Sequence, residues 1–226
     1  MKRMVKIIVT GICFGLALLL LKIIFRIDDA AFMRGYWIAA PAVVIGVLII
    51  NVCYNLFYFN KVRKIAKLLS EGKPQEYIDR IEDLLKTAKG KNLRNILELN
   101  QAAGYMETKQ FDTAIPVLEK LSHERLKGAA VNVVHKINLC ISYFQTSRYD
   151  EAMRIYNENQ ALFQQYRHHK SYGGDIAVLE VTAAVINEQY DRAEELLNCA
   201  KKMYDDPRLQ KTFQEFFEIL NKETAE

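Results

Sequence analysis

The side chains best suited to chemistry lie close together in the segment YRHHKSYGGD, residues 166–175. Around a glycine pair it gathers His168, His169, Lys170, Ser171 and Asp175. Histidine beside a carboxylate could bind a metal ion or transfer protons. However, adjacent histidines point in different directions on a helix, and neither an HExxH motif nor a second nearby carboxylate completes a ligand set. The segment therefore favours a loop in which Gly173 and Gly174 end one helix pair and Asp175 caps the next helix.

The rest of the chain lacks the motifs of common enzyme and cofactor sites. It contains no GxxxxGK[ST] or GxGxxG phosphate loop and no GxSxG elbow. His123 and His135 are isolated in the sequence. The four cysteines show no CxxC spacing and are expected to be small buried residues: Cys13, Cys53, Cys140 and Cys199. The sequence thus predicts a protein that is not an enzyme and has no cofactor or metal, with an enzyme built on 166–175 as the rival.

The first sixty residues contain two long apolar segments. Residues 5–25 are apolar except for Lys6, Thr10 and Lys22, and residues 36–59 contain no charged residue. A helix of roughly 20 residues crosses the hydrocarbon core of a bilayer. We therefore predict a transmembrane hairpin at 1–60, with spans at about 5–25 and 36–59. A cleaved signal peptide remains the alternative for the first span, although no small-x-small cleavage site follows it.

The distribution of Lys and Arg predicts the orientation of the hairpin. Basic residues flank both outer ends, at Lys2, Arg3 and Lys6 and at Lys61, Arg63, Lys64 and Lys67. The connecting stretch 26–35 holds two arginines and two aspartates. Both termini and the rest of the chain are therefore expected to be cytoplasmic, as in a protein of the bacterial inner membrane. Gly11 and Gly15 allow close approach of helices, so a homo-oligomer through the spans is left open.

Residues 61–226 show a helical pattern throughout, with apolar residues recurring at intervals of three and four. This part of the chain is predicted to be all-α. The formal net charge of the protein is +4, part of it beside the apolar segments, and no basic strip interleaved with aromatics occurs. The sequence thus predicts contact with a lipid bilayer and no nucleic-acid partner.

A motif recurs three times within this helical region. It reads KQFDTAIPVL at 109–118, SRYDEAMRIY at 147–156 and EQYDRAEELL at 188–197. Aligning the copies on their alanines gives Ala114, Ala152 and Ala193, which are 38 and 41 residues apart. Nine residues before these stand Tyr105, Tyr143 and Ala184, and twelve before stand Ala102, Cys140 and Val181. Small residues let paired helices cross closely, and aromatic residues fill the wedge between them.

This arrangement resembles the tetratricopeptide repeat (TPR), a helix-turn-helix unit of about 34 residues. The resemblance covers about 95–205, with a degenerate further copy at Leu68, Gly72 and Tyr77. The longer spacing, the missing first-helix Trp and Ala184 in place of an aromatic depart from the family pattern. The resemblance implies a TPR-like α-solenoid of three to four helix hairpins, occupying 61–226.

A capping helix is predicted at 208–221, after Asp206 as N-cap and Pro207 at the first helical position. Its apolar stripe, expected to close the last edge of the solenoid, comprises Phe213, Phe216, Phe217 and Leu220. A detachable helix offered to a partner is the alternative for this segment.

The resemblance also implies a groove lined by the first helix of each pair. The inward positions are Leu99, Ala103, Met106, Ile137, Ile141, Phe144, Val178, Thr182 and Val185. Because these are mostly apolar, the expected partner is a protein or peptide with apolar side chains, unless the chain itself covers the groove. The sequence therefore predicts a membrane-anchored interaction scaffold or assembly factor. The alternative is a ligand- or peptide-responsive sensor that signals through the solenoid to the spans.

Overall fold

The computed structural model describes the backbone of residues 2–122 and 126–223 and, except at 2–8, 10, 12–14, 208 and 222–223, their side chains. All regular structure in this part of the chain is helical, and no strand occurs in it. The all-α prediction is therefore confirmed. The chain divides into two compact units, residues 1–59 and 60–226.

The first unit contains helix α1 (Lys2–Ile24) and most of helix α2 (Asp29–Ile65). Asp28 lies just before α2, where its Oδ2 accepts hydrogen bonds from the amides of Ala30 and Ala31 at 3.0 and 3.3 Å. These bonds satisfy amides that have no partner within the helix. Among the described residues, one helical stretch, Asp29–Ser70, is long and apolar enough to cross a membrane.

Residues 47–71 contain neither Gly nor Pro, a composition that favours one uninterrupted helix. In the structure α2 ends at Ile65, and Ala66 separates it from the short helix α3 (Lys67–Ser70). The amide of Leu69 bonds to the carbonyl of Ala66, three residues back, at 3.2 Å. The hydrogen-bond ladder thus tightens locally to a 3₁₀ turn, which interrupts the α-helix without a helix-breaking residue.

The second unit is built from short helices that contact their neighbours in sequence. After α3 these are α4 (Pro74–Thr87), α5 (Lys91–Glu107), α6 (Phe111–Ser122), α7 (Ala129–Gln145), α8 (Tyr149–Glu158), α9 (Gln160–Tyr166), α10 (Gly173–Ile186), α11 (Tyr190–Met203) and α12 (Pro207–Glu223). Helix α5 also contacts α7, α7 contacts α10, and α10 contacts α12. Helices α5, α7, α10 and α12 therefore contact one another in succession, in addition to their contacts with neighbours in sequence.

The core of this unit forms where the aligned alanines meet the neighbouring helices. Ala114, Ala152 and Ala193 are each 0% exposed. Two apolar clusters surround them, one reaching from α5 to α10 and the other from α10 to α12. A larger side chain at these positions would have to displace packed neighbours, since protein interiors leave few voids.

The isolated histidines and the cysteines differ in their surroundings. His135 is buried, with Nε2 2.8 Å from the carbonyl oxygen of Leu118, and burial lowers the pKa of its imidazole. His123 lies outside the described residues. Cys140 is buried as expected, and burial raises the pKa of its thiol to about 12. Cys53 and Cys199 are exposed, so the expectation of burial is wrong for these two.

Helix α12 begins at Pro207, as the sequence predicts. Phe213 is 0% exposed, and Leu209 and Leu220 are buried with it against α10 and α11. Phe217, however, is 42% exposed, and the Nζ of Lys201 lies 4.6 Å from the centre of its ring. The apolar stripe is thus narrower than predicted, because Phe217 lies at its edge on the side away from Phe216.

Candidate functional site

The nine predicted groove residues lie on three helices that contact one another in succession. Three belong to α5 (Leu99, Ala103, Met106), three to α7 (Ile137, Ile141, Phe144) and three to α10 (Val178, Thr182, Val185). Leu99 and Ile137 are buried, and the other seven are half-buried. Most of the seven pack against the two apolar clusters. The face formed by α5, α7 and α10 therefore presents only part of each apolar side chain to solvent.

A left-handed turn precedes each of the three aligned alanines, and the equivalent Tyr77, at the same distance. Five residues before Tyr77, Ala114, Ala152 and Ala193, φ is positive at Gly72 (71°), Lys109 (60°), Ser147 (59°) and Glu188 (58°). In every case the backbone amide of the following residue donates a hydrogen bond to the carbonyl oxygen five residues before it, at 2.8–2.9 Å. The pairs are Lys73 to Leu68, Gln110 to Tyr105, Arg148 to Tyr143 and Gln189 to Ala184. This bond closes the preceding helix. Sequence reasoning missed these turns, because only Gly72 is the residue type that favours them.

Ser147→Gly is expected to raise the free energy of unfolding by about 0.5–1 kcal/mol. An L side chain in the left-handed region costs about 1–2 kcal/mol, and part of the gain is lost to the greater freedom of glycine in the unfolded chain. Urea unfolding followed by circular dichroism would measure the change. Gln145→Gly, in the last turn of α7, is the matched control and should instead destabilise the protein. Destabilisation by both substitutions would contradict the left-handed turn.

The helix pairs are α3–α4, α5–α6, α7–α8 and α10–α11, and we call the contact of each pair with the next a junction. Two of the three junctions carry the same tyrosine–glutamate hydrogen bond. At the first junction Tyr105 of α5 donates to Glu82 of α4 at 3.2 Å, and at the second Tyr143 of α7 donates to Glu119 of α6 at 2.8 Å. Burial, followed by the bond to Glu119, raises the pKa of Tyr143 to about 12. Both glutamates stand five residues after the aligned residue, Tyr77 or Ala114. This shared offset was a readable signal in the sequence.

The third junction lacks both members of this pair and contains a cavity. The corresponding residues are Ala184 on α10 and Asn157 on α8. Both line a cavity of about 240 Å³, bounded also by Tyr156, Gln160, Gln164, Arg167, Glu180, Ala183, Asn187, Gln189, Arg192 and Leu196. This site, which we call the third-junction cavity, combines one carboxylate with two guanidinium groups and five side-chain amides.

Glu180 is the most unusual residue of the third-junction cavity. Its side chain is 6% exposed, and its Oε2 lies 3.2 Å from the guanidinium of Arg167. Gln164 donates to Oε1 at 3.2 Å, whereas Oε2 has no hydrogen-bond partner among the described residues. Burial raises the pKa of Glu180, opposed by the charges of Arg167 and Arg192. The carboxylate therefore lines the cavity as a buried group that is ion-paired with Arg167 and has one oxygen, Oε2, outside any hydrogen bond of the described residues.

The segment 166–175 borders a different cavity, of about 490 Å³, lined in part by His168, Lys170, Ser171 and Asp175. His169 instead stacks on Tyr172, with ring centres 4.4 Å apart. In the described part of the chain no group of three His, Cys, Asp or Glu side chains could hold a metal ion. The segment brings the two histidines into different surroundings.

The predicted roles of Gly173, Gly174 and Asp175 are wrong. The glycines open α10 and do not end the preceding pair, and Asp175 lies in the first turn instead of capping it. Both glycines are buried, because other parts of the chain approach their backbone closely.

Comparison with known proteins gives no relative for this chain: no family model, no curated protein and no solved structure matches it.

Proposed function

We propose that the protein is a membrane-anchored scaffold or assembly factor that binds a protein partner through a TPR-like α-solenoid on the cytoplasmic side of the membrane. The face formed by α5, α7 and α10 is the proposed binding surface. The observation that carries the proposal is the recurrence of one left-handed turn, five residues before each aligned position, from Gly72 to Glu188.

The repeat interpretation is supported by packing as well as by turns. The aligned alanines share full burial, and the residues twelve positions earlier, Ala102, Cys140 and Val181, are also each 0% exposed. Contacts of α5 with α7 and of α7 with α10 are those expected when equivalent helices stack. These features support three stacked hairpins, with α3 and α4 as the degenerate fourth and α12 as the cap.

The membrane anchor is supported by composition and helix length. Residues 36–59 lie within α2 and contain no charged side chain. Helix α1 supplies the second proposed span, and the basic residues at both outer ends favour cytoplasmic termini. An anchor of this kind holds the partner-binding unit near the bilayer, where a membrane-associated assembly would form.

The chemistry of the proposed surface sets the expected partner. Ile141, Phe144 and Val178 are half-buried apolar side chains of α7 and α10. A helix or extended segment that offers apolar side chains would bury the remaining surface at about 25 cal/mol per Å². The proposed partner is therefore a protein segment with apolar anchors.

Photo-crosslinking in intact membranes tests this surface. A photoreactive residue at Ile141 or Val178 is expected to capture one discrete protein, because both positions lie on the proposed binding face. Met153 of α8 is the matched control, since it is apolar and half-buried but lies on the second helix of its pair. Ile141→Glu should release the same protein in a pull-down. Capture of the same protein from Met153, or crosslinks only within the chain, would contradict the proposal.

A sensor is the second candidate function, and the third-junction cavity favours it. A ligand that binds between two repeats stabilises the folded state by mass action, whereas protein binding on the α5–α7–α10 face requires no such ligand. A small molecule that raises the unfolding temperature of the protein without any partner would therefore support the sensor.

A further inference from the structure

The third-junction cavity exists because two side chains are changed together. Where the first two junctions have a tyrosine and a glutamate in hydrogen-bond contact, the third has Ala184 and Asn157. The exchange removes a whole phenol ring and replaces the glutamate opposite it with a shorter, uncharged amide side chain. Close-packed interiors leave few spaces larger than a water molecule. The space at the third junction is open to solvent, since Asn157 and Arg192 are exposed, so a ligand can enter it.

Glu180 breaks the packing rule at the same place. Thirteen residues before the aligned alanine, the first copy has the half-buried Gln101, the second has the buried Leu139, and the third has Glu180, which is both charged and buried. A buried ion pair such as Glu180–Arg167 stabilises a fold no better than well-packed apolar residues do. Departures from local packing rules concentrate at functional sites. The exchange of Leu for Glu therefore indicates a role for the carboxylate in binding.

The cavity is lined by complementary charges from two helices. Glu180 belongs to α10; its Oε2 lies 3.2 Å from the guanidinium of Arg167 and accepts no hydrogen bond from the described residues. Arg192 belongs to α11, and one of its guanidinium nitrogens donates to Glu195 at 2.9 Å. A guanidinium carries five N–H donors, so others remain for a ligand. Side-chain amides, among them Gln160 and Gln189, line the same cavity.

We propose that the third-junction cavity binds a free α-amino acid, with its ammonium group on Glu180 and its carboxylate on Arg192. The volume of about 240 Å³ suits a ligand of this size and is too small for a folded partner. The amide lining favours a polar amino-acid side chain. Because the ligand touches α8, α9, α10 and α11, its binding holds two successive helix pairs together.

The proposal does not rest on partner binding or on the membrane anchor. Val178, Thr182 and Val185 lie on the opposite side of α10 from Glu180, because residues two and five positions apart are separated by about 160° and about 140° around a helix. Failure of the crosslinking experiment would thus leave the amino-acid site intact, and the reverse also holds.

The test measures thermal unfolding of the full chain in detergent with each of the twenty L-amino acids at about 10 mM. At least one is expected to raise the unfolding temperature by about 5 °C or more, as a ligand present at a hundred times its Kd does in a chain of this size. Acetate and methylamine at the same concentration, which carry only half of the ligand's charged groups, should give no comparable shift. A shift of similar size with acetate alone would overturn the proposal, as would the absence of a shift with every amino acid.

Two sets of variants locate the site. Arg192→Gln and Glu180→Gln should each reduce the shift to less than half, and Arg192 is exposed, so its substitution does not disturb the core. The double substitution Ala184→Tyr and Asn157→Glu should fill the cavity with the pair found at the other two junctions. It is expected to abolish the shift without lowering the unfolding temperature of the ligand-free protein. A full shift that survives in the filled variant would overturn the proposal.

Discussion

Phe213→Ala is expected to lower the free energy of unfolding by about 3–5 kcal/mol, the usual cost of truncating a buried aromatic side chain. Phe213 is fully buried at the centre of α12, in the cluster that joins this helix to α10 and α11. Alanine would leave a cavity there and uncover apolar surface of α11. The effect should appear as a lower urea midpoint in the full chain, followed by circular dichroism.

Phe217→Ala is the matched control for this prediction. It removes the same side chain from the same helix, but Phe217 is 42% exposed. A change below about 1 kcal/mol is expected, as for most surface substitutions. Comparable effects of the two substitutions would contradict the packing of α12. A small effect of both would favour α12 as a detachable helix, the alternative that the sequence left open.

The sequence predicted the parts of the fold that depend on local pattern. Ala114, Ala152 and Ala193 could be recognised because a small residue at a helix crossing is required by close packing, and all three are buried. The start of α12 could be predicted because Pro207 is acceptable in the first turn of a helix and disfavoured later. In both cases the residue type alone shows which local structure the position can adopt.

The features that escaped prediction depend on contacts between distant residues. Lys109, Ser147 and Glu188 adopt positive φ although none is glycine, because the hydrogen bonds of the turn and the packing of the next helix fix the backbone. Gly173 and Gly174 were predicted to end a helix pair, whereas they open α10. The pattern of residue types does not show which chain segment approaches these glycines. Glu180 was not singled out, since a single glutamate in an apolar helix has no meaning until its neighbours are known.

The third junction joins these observations into one structural argument. Tyr105 and Tyr143 tie their helix pairs to the preceding ones, and the hydrogen bonds to Glu82 and Glu119 fix the relative position of the helices. Ala184 provides no such tie, so the third junction is held by the apolar cluster that α7, α8 and α10 share and by the ion pair of Glu180 with Arg167. If the second unit changes its curvature, this junction is the place where we expect the change to occur, because the other two are held by tyrosine–glutamate hydrogen bonds.

Gly173→Ala is the second substitution with a large expected effect, a loss of about 2–4 kcal/mol of unfolding free energy. A Cβ at this position would overlap the carbonyl oxygen of Arg167 and lie 2.5 Å from the hydroxyl of Tyr204. That hydroxyl donates a hydrogen bond to the same carbonyl, so neither group can move without breaking the bond. The clash is with backbone, which cannot change rotamer to relieve it.

Gly46→Ala in α2 is the control, because a Cβ there meets no atom within 4 Å. It should leave the unfolding of the second unit unchanged, since alanine is favoured over glycine within a helix. Gly173→Ala should also reduce the rise in unfolding temperature that amino acids cause. Arg167 both contacts Gly173 and lines the third-junction cavity. Unchanged stability of Gly173→Ala would mean that the segment before α10 does not approach the helix as described. Glu180 would then lose the neighbour that holds its charge, and the site would have to be placed elsewhere.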